Sequence, residues 1–141
     1  MVTNVANGTI KKKQQIAFKR LLQGKSPSIK ITEYIGLNFF ELKQWLAPKM
    51  LPGMNWNNYG EVWVIEQFVG LDLFDLKKDE DCKIAWSYKN MIPVFAEHIY
   101  HIRENNSFSL IYLEKTEKCP IVDRLVFMLN EQVKKLEKYL K

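Results

Sequence analysis

Four polar residues of this chain have side chains suited to catalysis or metal binding. Glu66 and Gln67 interrupt an otherwise apolar run at 62–69, and the two histidines, His98 and His101, stand close together in the chain. Carboxylates and imidazoles bind several divalent cations. An imidazole also titrates near neutral pH and can accept a proton, whereas the amide of Gln67 does not titrate. These residue types therefore indicate metal binding or acid–base chemistry.

Two short strands and a helix are predicted to position these residues. Residues 61–69 are rich in β-branched and aromatic side chains, which is typical of a strand with alternating faces. The two faces carry Trp63, Ile65 and Gln67 on one side and Val62, Val64, Glu66 and Phe68 on the other. Residues 91–95 form a second strand, at an edge or bulge because of Pro93. A helix over 96–104 places His98 and His101 one turn apart on a shared face.

The other predicted elements follow from spacing, capping and turn residues. Apolar residues recur every three or four positions over 10–23, which predicts an amphipathic helix that ends near Gly24. A short helix ends at Gly36, and Asn38 with Glu41 has the spacing of a capping box. The helix that follows stops near Pro48. Residues 78–87 are predicted to be helical, and the β-rich segment 107–114 to be a further strand.

Positive charge is concentrated at the start of the chain. Residues 1–30 contain seven basic side chains and no acidic one, although the net charge of the whole chain is only +5. Basic side chains that neutralise phosphates release counterions, so this segment is a candidate surface for DNA. A solvated lysine face is the alternative interpretation. The proposed nucleic-acid contacts are Lys11, Lys12, Lys13, Lys19 and Arg20.

Composition excludes several classes of protein. A length of 141 residues with 47% hydrophobic residues predicts one globular domain with a sizeable core. Cys82 and Cys119 form no CxxC pair, which argues against a disulfide framework or a cysteine-rich zinc site. No apolar run reaches the ~20 residues of a membrane span, and the N-terminus lacks the pattern of a signal peptide. We therefore expect a cytoplasmic location and no membrane contact.

The C-terminal segment 120–141 has the clearest helical pattern. Pro120 suits a first helical turn, and the apolar residues after it are three or four positions apart. They are Val122, Leu125, Leu129, Val133, Leu136 and Leu140. Such a heptad-like seam either packs on its own domain or mediates self-association or binding of a protein partner.

Several short motifs together resemble the HNH endonucleases of phages and mobile elements. The motifs are Gly53–Gly60 (GMNWNNYG), Trp63, Phe74-Asp75-Leu76, Tyr88-Lys89-Asn90, Pro93 and Ala96-Glu97. In that family a similar GMxWxNYG segment precedes WHIDHIIP, then FDL, then YxNLQPLWAxEN. The likeness extends over about 16–100, and the combined spacing is more specific than any one motif. It implies a ββα-metal core, in which two strands and a helix surround one divalent cation.

The resemblance also implies which residues would act, and this chain departs from the family at those positions. The family's first histidine corresponds to Val64, its metal-binding aspartate to Glu66, its general-base histidine to Gln67 and its proline to Gly70. An amide does not titrate in the useful range, so Gln67 cannot activate a water molecule as a base. Phosphodiester hydrolysis would therefore lack its usual proton acceptor.

Two further positions match the family. Asn90 corresponds to the asparagine that pins the segment between the strands, and His98 corresponds to the closing metal ligand. Glu66 and His98 could then bind Mg²⁺, Mn²⁺ or Zn²⁺, with His101 as a base from the neighbouring turn. In the alternative interpretation, Glu66 is a half-buried carboxylate paired with a lysine or with His98, and His101 is exposed and has no role.

We therefore predict an α+β fold in one globular domain. A flexible segment at 1–9 and helices at 10–50 precede an HNH-like core at 53–105, and a strand with a long helix follows at 107–141. Four aromatic residues are assigned to the core rather than to base-stacking platforms. They are Trp56, Trp63, Trp86 and Tyr88.

The expected function is that of a catalytically inactive HNH-like module without a cofactor. It would be a structural or nucleic-acid-binding component of a phage or mobile-element system, in the host cytoplasm or within a virion. The alternative is a metal-dependent endonuclease that uses Glu66 and His98 as metal ligands.

Overall fold

The computed structural model describes residues 5–25, 30–105 and 110–113, together with 130, 134 and 136–138. This part of the chain contains six α-helices and one two-stranded antiparallel sheet, so the predicted α+β class is confirmed. In chain order the elements are α1 (Val5–Leu22), α2 (Ile31–Ile35), α3 (Phe39–Leu46), β1 (Trp63–Gln67), α4 (Asp79–Ala85), β2 (Met91–Phe95), α5 (Ile99–Asn105) and α6 (Leu110–Leu113). Short 3₁₀ turns lie between them, among them Trp56–Asn58, Tyr88–Asn90 and Ala96–His98.

The two faces of the sheet pack against two different apolar clusters. β2 has the predicted bounds, whereas β1 is two residues shorter at each end than the predicted 61–69. Trp63 and Ile65 pack in the main cluster with side chains from α1 to α4. Val64 and, just beyond the strand, Phe68 pack on the second cluster, which α5 and α6 help to form. The predicted alternation of faces along β1 is therefore confirmed.

Helix α1 begins earlier than the sequence predicted. We expected a flexible segment up to residue 9, but residues 5–9 belong to the helix. Asn7 is 3% exposed, and its Oδ1 accepts a hydrogen bond from the Leu76 N–H at 2.9 Å. This contact with a distant loop holds the first turn, and no local sequence signal announces it. The predicted end is confirmed, because Gly24 has a φ of 75° just after the helix.

Gln14 anchors the middle of α1 on helix α4. Its side chain is buried, with Nε2 donating to Cys82 Sγ at 3.2 Å and Oε1 accepting from Trp86 Nε1 at 2.9 Å. A buried amide that makes both contacts costs little to desolvate. The exposed residues on either side of Gln14 are consequently held in fixed positions on the body of the protein.

The predicted capping signals of α2 and α3 are confirmed. Gly36 ends α2 in the left-handed conformation, with a φ of 84°. Asn38 Oδ1 accepts from the Glu41 N–H at 2.8 Å, and the Glu41 carboxylate accepts from the Asn38 N–H at 3.1 Å. These reciprocal bonds form a capping box that fixes the start of α3.

The C-terminal predictions fare differently. The predicted strand at 107–114 is wrong at 110–113, which form α6. Tyr112 of α6 is 1% exposed and packs in the second cluster, because an amphipathic turn can bury this ring as well as a strand can. The predicted 120–141 helix and its association surface lie almost wholly outside the described residues. Among the described helices, none is both long enough and apolar enough to cross a membrane.

Candidate functional site

A cleft of about 400 Å³ opens at the end of β1, between α1 and α5. It is called the β1 cleft below, and its polar lining consists of Lys11, Gln15, Glu66, Gln67, Asp72 and Arg103. The structure thus brings Glu66, Gln67 and Lys11, three residues singled out from the sequence, into one cleft. His98 and His101 do not line the cleft.

Glu66 is paired with an arginine. The Nε and Nη2 atoms of Arg103 lie 3.0 and 2.9 Å from Glu66 Oε2, and the other carboxylate oxygen accepts from the Gln67 N–H at 3.3 Å. The Glu66 side chain is only 12% exposed, so its charge needs a partner. Charge-assisted bonds from a guanidinium provide one. Glu66 is thus a half-buried, paired carboxylate, as the alternative interpretation had it, but the predicted partners, a lysine or His98, are wrong.

His98 is engaged elsewhere, at the end of β2. Its Nδ1 lies 2.6 Å from the Tyr112 hydroxyl, which also accepts from the Phe95 N–H at 2.9 Å. Burial raises the pKa of Tyr112, so this hydroxyl keeps its proton near neutral pH and can donate it to Nδ1. The His98 Nε2 is 3.6 Å from the Glu97 carboxylate, beyond hydrogen-bonding distance. His98 thus ties α6 to the sheet.

The predicted donor pair does not fit a divalent metal. Oε2 of Glu66 is bound by Arg103, whose positive charge opposes the approach of a cation, and Nδ1 of His98 contacts Tyr112. Across the described residues, no group of three or more His, Cys, Asp or Glu side chains is placed to hold a metal ion. His101 is exposed on α5, outside the cleft. Glu66 and His98 are therefore not assembled as a pair of metal ligands at the cleft.

Asn90 joins the two ends of the long connection between the strands. It is fully buried, and its Oδ1 accepts from the Val69 N–H at 3.0 Å. Its Nδ2 donates to the carbonyls of Val69 at 3.0 Å and Ala85 at 2.9 Å. Val69, two residues after the end of β1, is thereby fixed to Ala85 at the end of α4. Its neighbours Phe68 and Gly70, which line the β1 cleft, are held in place with it.

The basic residues of α1 are not equivalent. Lys11 Nζ is 2.9 Å from Asp72 Oδ1, so its charge is already partnered. Lys12, Lys13, Lys19 and Arg20 are exposed. Seven residues are close to two helical turns, so Lys12 and Lys19 share a face of the helix about 10 Å apart. The helix has no acidic residue, and it therefore presents an exposed line of positive charge.

Sequence reasoning missed Arg103, Asp72 and Tyr112. They contact Glu66, Lys11 and His98 across separations of 37, 61 and 14 residues. Local spacing rules relate residues three or four apart, so they could not pair these side chains. A weak signal existed for Arg103 alone, since it lies in the predicted helix that carries the two histidines.

Comparison with known proteins gives one informative likeness. The chain is 31% identical over 67 residues to "Uncharacterized protein L426" of Acanthamoeba polyphaga mimivirus. The aligned region covers 48% of this chain and 30% of that protein, so the chain spans less than a third of its relative. No family model matches the chain, and no solved structure matches it. The likeness to a viral protein agrees with the viral part of the prediction.

Proposed function

We propose that this chain is a catalytically inactive HNH-like module. The observation that carries the proposal is the pairing of Glu66 with Arg103 in the β1 cleft. In a metal-dependent nuclease the corresponding carboxylate faces a divalent cation. Here it faces a guanidinium, and the neighbouring Gln67 cannot accept a proton from water. Both requirements of the reaction are therefore unmet at the same strand.

The arrangement of the core supports an HNH-like ancestry. The antiparallel strands β1 and β2 are joined by a connection that contains α4, and α5 follows β2 after a 3₁₀ turn. Apart from α4, this is the element order of a ββα module. Asn90, the last residue before β2, binds Val69 near the start of the connection and Ala85 at the end of α4, as the pinning asparagine of such a module would. These contacts support the proposal that an HNH-like frame is retained.

We further propose that the module binds nucleic acid or organises an assembly in a viral or mobile-element system. The exposed Lys12, Lys13 and Lys19 of α1 support contact with a phosphate backbone. The likeness to a mimivirus protein supports a viral setting. Incorporation into a virion is part of this proposal.

A plasmid-nicking assay with Mg²⁺ or Mn²⁺ tests the loss of catalysis. We expect no nicking above the buffer control. Nicking that disappears in the His98→Ala variant would overturn the proposal and establish the alternative, a metal-dependent endonuclease. Because His98 also contacts Tyr112, the melting temperature of this variant must be measured in parallel.

Titration of duplex DNA at two salt concentrations tests the binding function. In the double variant Lys12→Gln and Lys13→Gln, two phosphate contacts are lost, so the slope of log K against log salt should fall by about 2. Lys77→Gln with Lys83→Gln makes the same charge change on exposed residues outside α1 and serves as the matched control. Binding that is absent or insensitive to salt would contradict a nucleic-acid role and favour a purely structural one.

A further inference from the structure

A second groove, of about 310 Å³, lies at the C-terminal end of α1, whereas the β1 cleft lies beside the middle of this helix. Aromatic and basic side chains line it together. This aromatic groove is formed chiefly by Lys19 of α1, Phe39 and Lys43 of α3, and Trp56 and Tyr59 of the following loop. The residues that line it include two lysines and no carboxylate, so it is both apolar and positively charged.

The rings of the groove are fixed by contacts beneath it. Trp56 and Tyr59 are stacked, with ring centroids 5.8 Å apart and planes inclined by 25°. Both rest edge-on against the fully buried Trp63, each at 4.9 Å. The Tyr59 hydroxyl accepts from the Ile65 N–H at 3.4 Å, which turns its polar end inward. Trp56 itself is only partly buried. The groove thus presents an ordered aromatic surface to solvent.

The two lysines are held at this surface without acidic partners. Lys43 Nζ lies 4.4 Å from the centroid of the Phe39 ring and 5.5 Å from that of Trp56. Within the described part of the chain, neither Lys43 nor Lys19 forms an ion pair. A ligand that combines a planar ring with a nearby anion would stack on the aromatic rings and pair with the lysines at the same time.

We propose that the aromatic groove binds an unpaired base of single-stranded nucleic acid, with its phosphate at Lys19 and Lys43. Base–aromatic stacking beside a cationic track is the common mode of single-strand binding. The exposed Lys12 lies on the same face of α1 as Lys19 and extends the positive charge beyond the volume of one nucleotide. The occupant is therefore a strand rather than a free nucleotide. The inference rests on the proposed nucleic-acid binding and names the form of nucleic acid.

Fluorescence anisotropy of a labelled oligo-dT of about 12 nucleotides tests this inference, a length within known single-strand site sizes. Lys43→Glu should weaken binding about ten-fold or more, since it removes a cation and adds an anion at the groove. Lys83→Glu makes the same charge change on an exposed residue of α4 and should change binding less than about two-fold.

The stacking contribution is tested separately. Phe39→Leu removes one ring while it keeps an apolar side chain, and it should weaken oligo-dT binding by about five-fold or more. Trp56→Leu should weaken binding further, and a melting curve shows whether that variant remains folded. In the wild type, oligo-dT should quench tryptophan fluorescence, since Trp63 and Trp86 are buried and Trp56 faces the groove.

Three outcomes would overturn the inference. If Lys43→Glu binds oligo-dT as the wild type does and salt-sensitive duplex binding is intact, the aromatic groove is not the single-strand site. The proposed nucleic-acid binding would then still hold. Equal binding of thymidine monophosphate would show a free-nucleotide site. Full competition by poly-glutamate at equal charge would show a site for acidic peptides.

Discussion

The β1 cleft and the aromatic groove lie along the same helix, α1, yet they differ in how their charges are balanced. In the cleft each cation has a carboxylate partner, Lys11 with Asp72 and Arg103 with Glu66. In the groove Lys43 lies over the rings of Phe39 and Trp56, and none of the described residues that line it is acidic. The charges of the cleft are balanced by its own residues, whereas those lining the groove leave it positively charged.

This difference in charge balance affects how readily an ion can enter each region. A cation or a phosphate that enters the cleft must displace an existing ion pair, and the half-buried Glu66 would lose its partner. An anion that enters the groove displaces no carboxylate. Our proposals assign no catalysis to the cleft and anion binding to the groove, and the following variants test that contrast.

The largest loss of stability is expected when Asn90, which fixes the backbone beside the cleft, is replaced. Asn90→Ala leaves the Val69 N–H and the carbonyls of Val69 and Ala85 without their partner in a buried position. We expect the free energy of unfolding to fall by about 3 kcal/mol. Urea denaturation measures it, with the exposed Asn57→Ala as the matched control, expected to lose less than about 0.5 kcal/mol. Equal losses in the two variants would contradict the assigned role.

The next effect concerns Gln14, which anchors α1, the helix that borders both the cleft and the groove. Gln14→Ala removes the partner of Cys82 and Trp86 and should cost about 2 kcal/mol. Burial raises the pKa of the Cys82 thiol, so at neutral pH little thiolate is present and alkylation should be slow.

The rate of alkylation by iodoacetamide in a Cys119→Ser background measures how accessible the Cys82 thiol is beside Gln14. The rate should rise with pH, since deprotonation produces the reactive thiolate, and it should be faster in Gln14→Ala than in the parent. Rapid alkylation of the parent at neutral pH would contradict the buried position of Cys82.

A smaller effect is expected for the ion pair of the cleft. Arg103→Ala leaves the carboxylate of Glu66, 12% exposed, without its guanidinium and should cost about 1 kcal/mol, since Arg103 is itself 67% exposed. A double-mutant cycle with Glu66→Gln isolates the coupling between the two side chains. Coupling indistinguishable from zero would show that the pair does not fix the cleft.

The smallest effect belongs to Lys11. Its pair with Asp72 is largely exposed, at 32% and 66% for the two side chains, so Lys11→Ala should change stability by less than about 0.5 kcal/mol. Because its charge is already partnered, the same change should reduce duplex DNA affinity less than Lys12→Ala does. A larger loss of duplex DNA affinity in Lys11→Ala than in Lys12→Ala would show that DNA binds at the cleft, and the two regions would then not differ as proposed.

Local signals in the sequence predicted much of the fold and part of the cleft. Gly24, Gly36 and the Asn38–Glu41 capping box end or begin helices where expected, because these features act over three or four residues. The alternation along 61–69 placed Trp63 in the core. Residues 110–113 of the predicted strand were assigned wrongly, because β-branched and aromatic residues can also occupy a short buried helical turn. Trp56 was assigned to the core, yet it is only partly buried and forms a wall of the groove.

The sequence by itself determined most of the elements up to residue 105 and the chemical types at the cleft, with a carboxylate at Glu66 and an amide at Gln67. Only the tertiary structure decided which charges are free. Arg103 reaches Glu66 across 37 residues, while Lys43 reaches aromatic rings and no acid. Ion pairing depends on distances of a few ångströms between segments far apart in the chain, and residue order does not encode those distances locally.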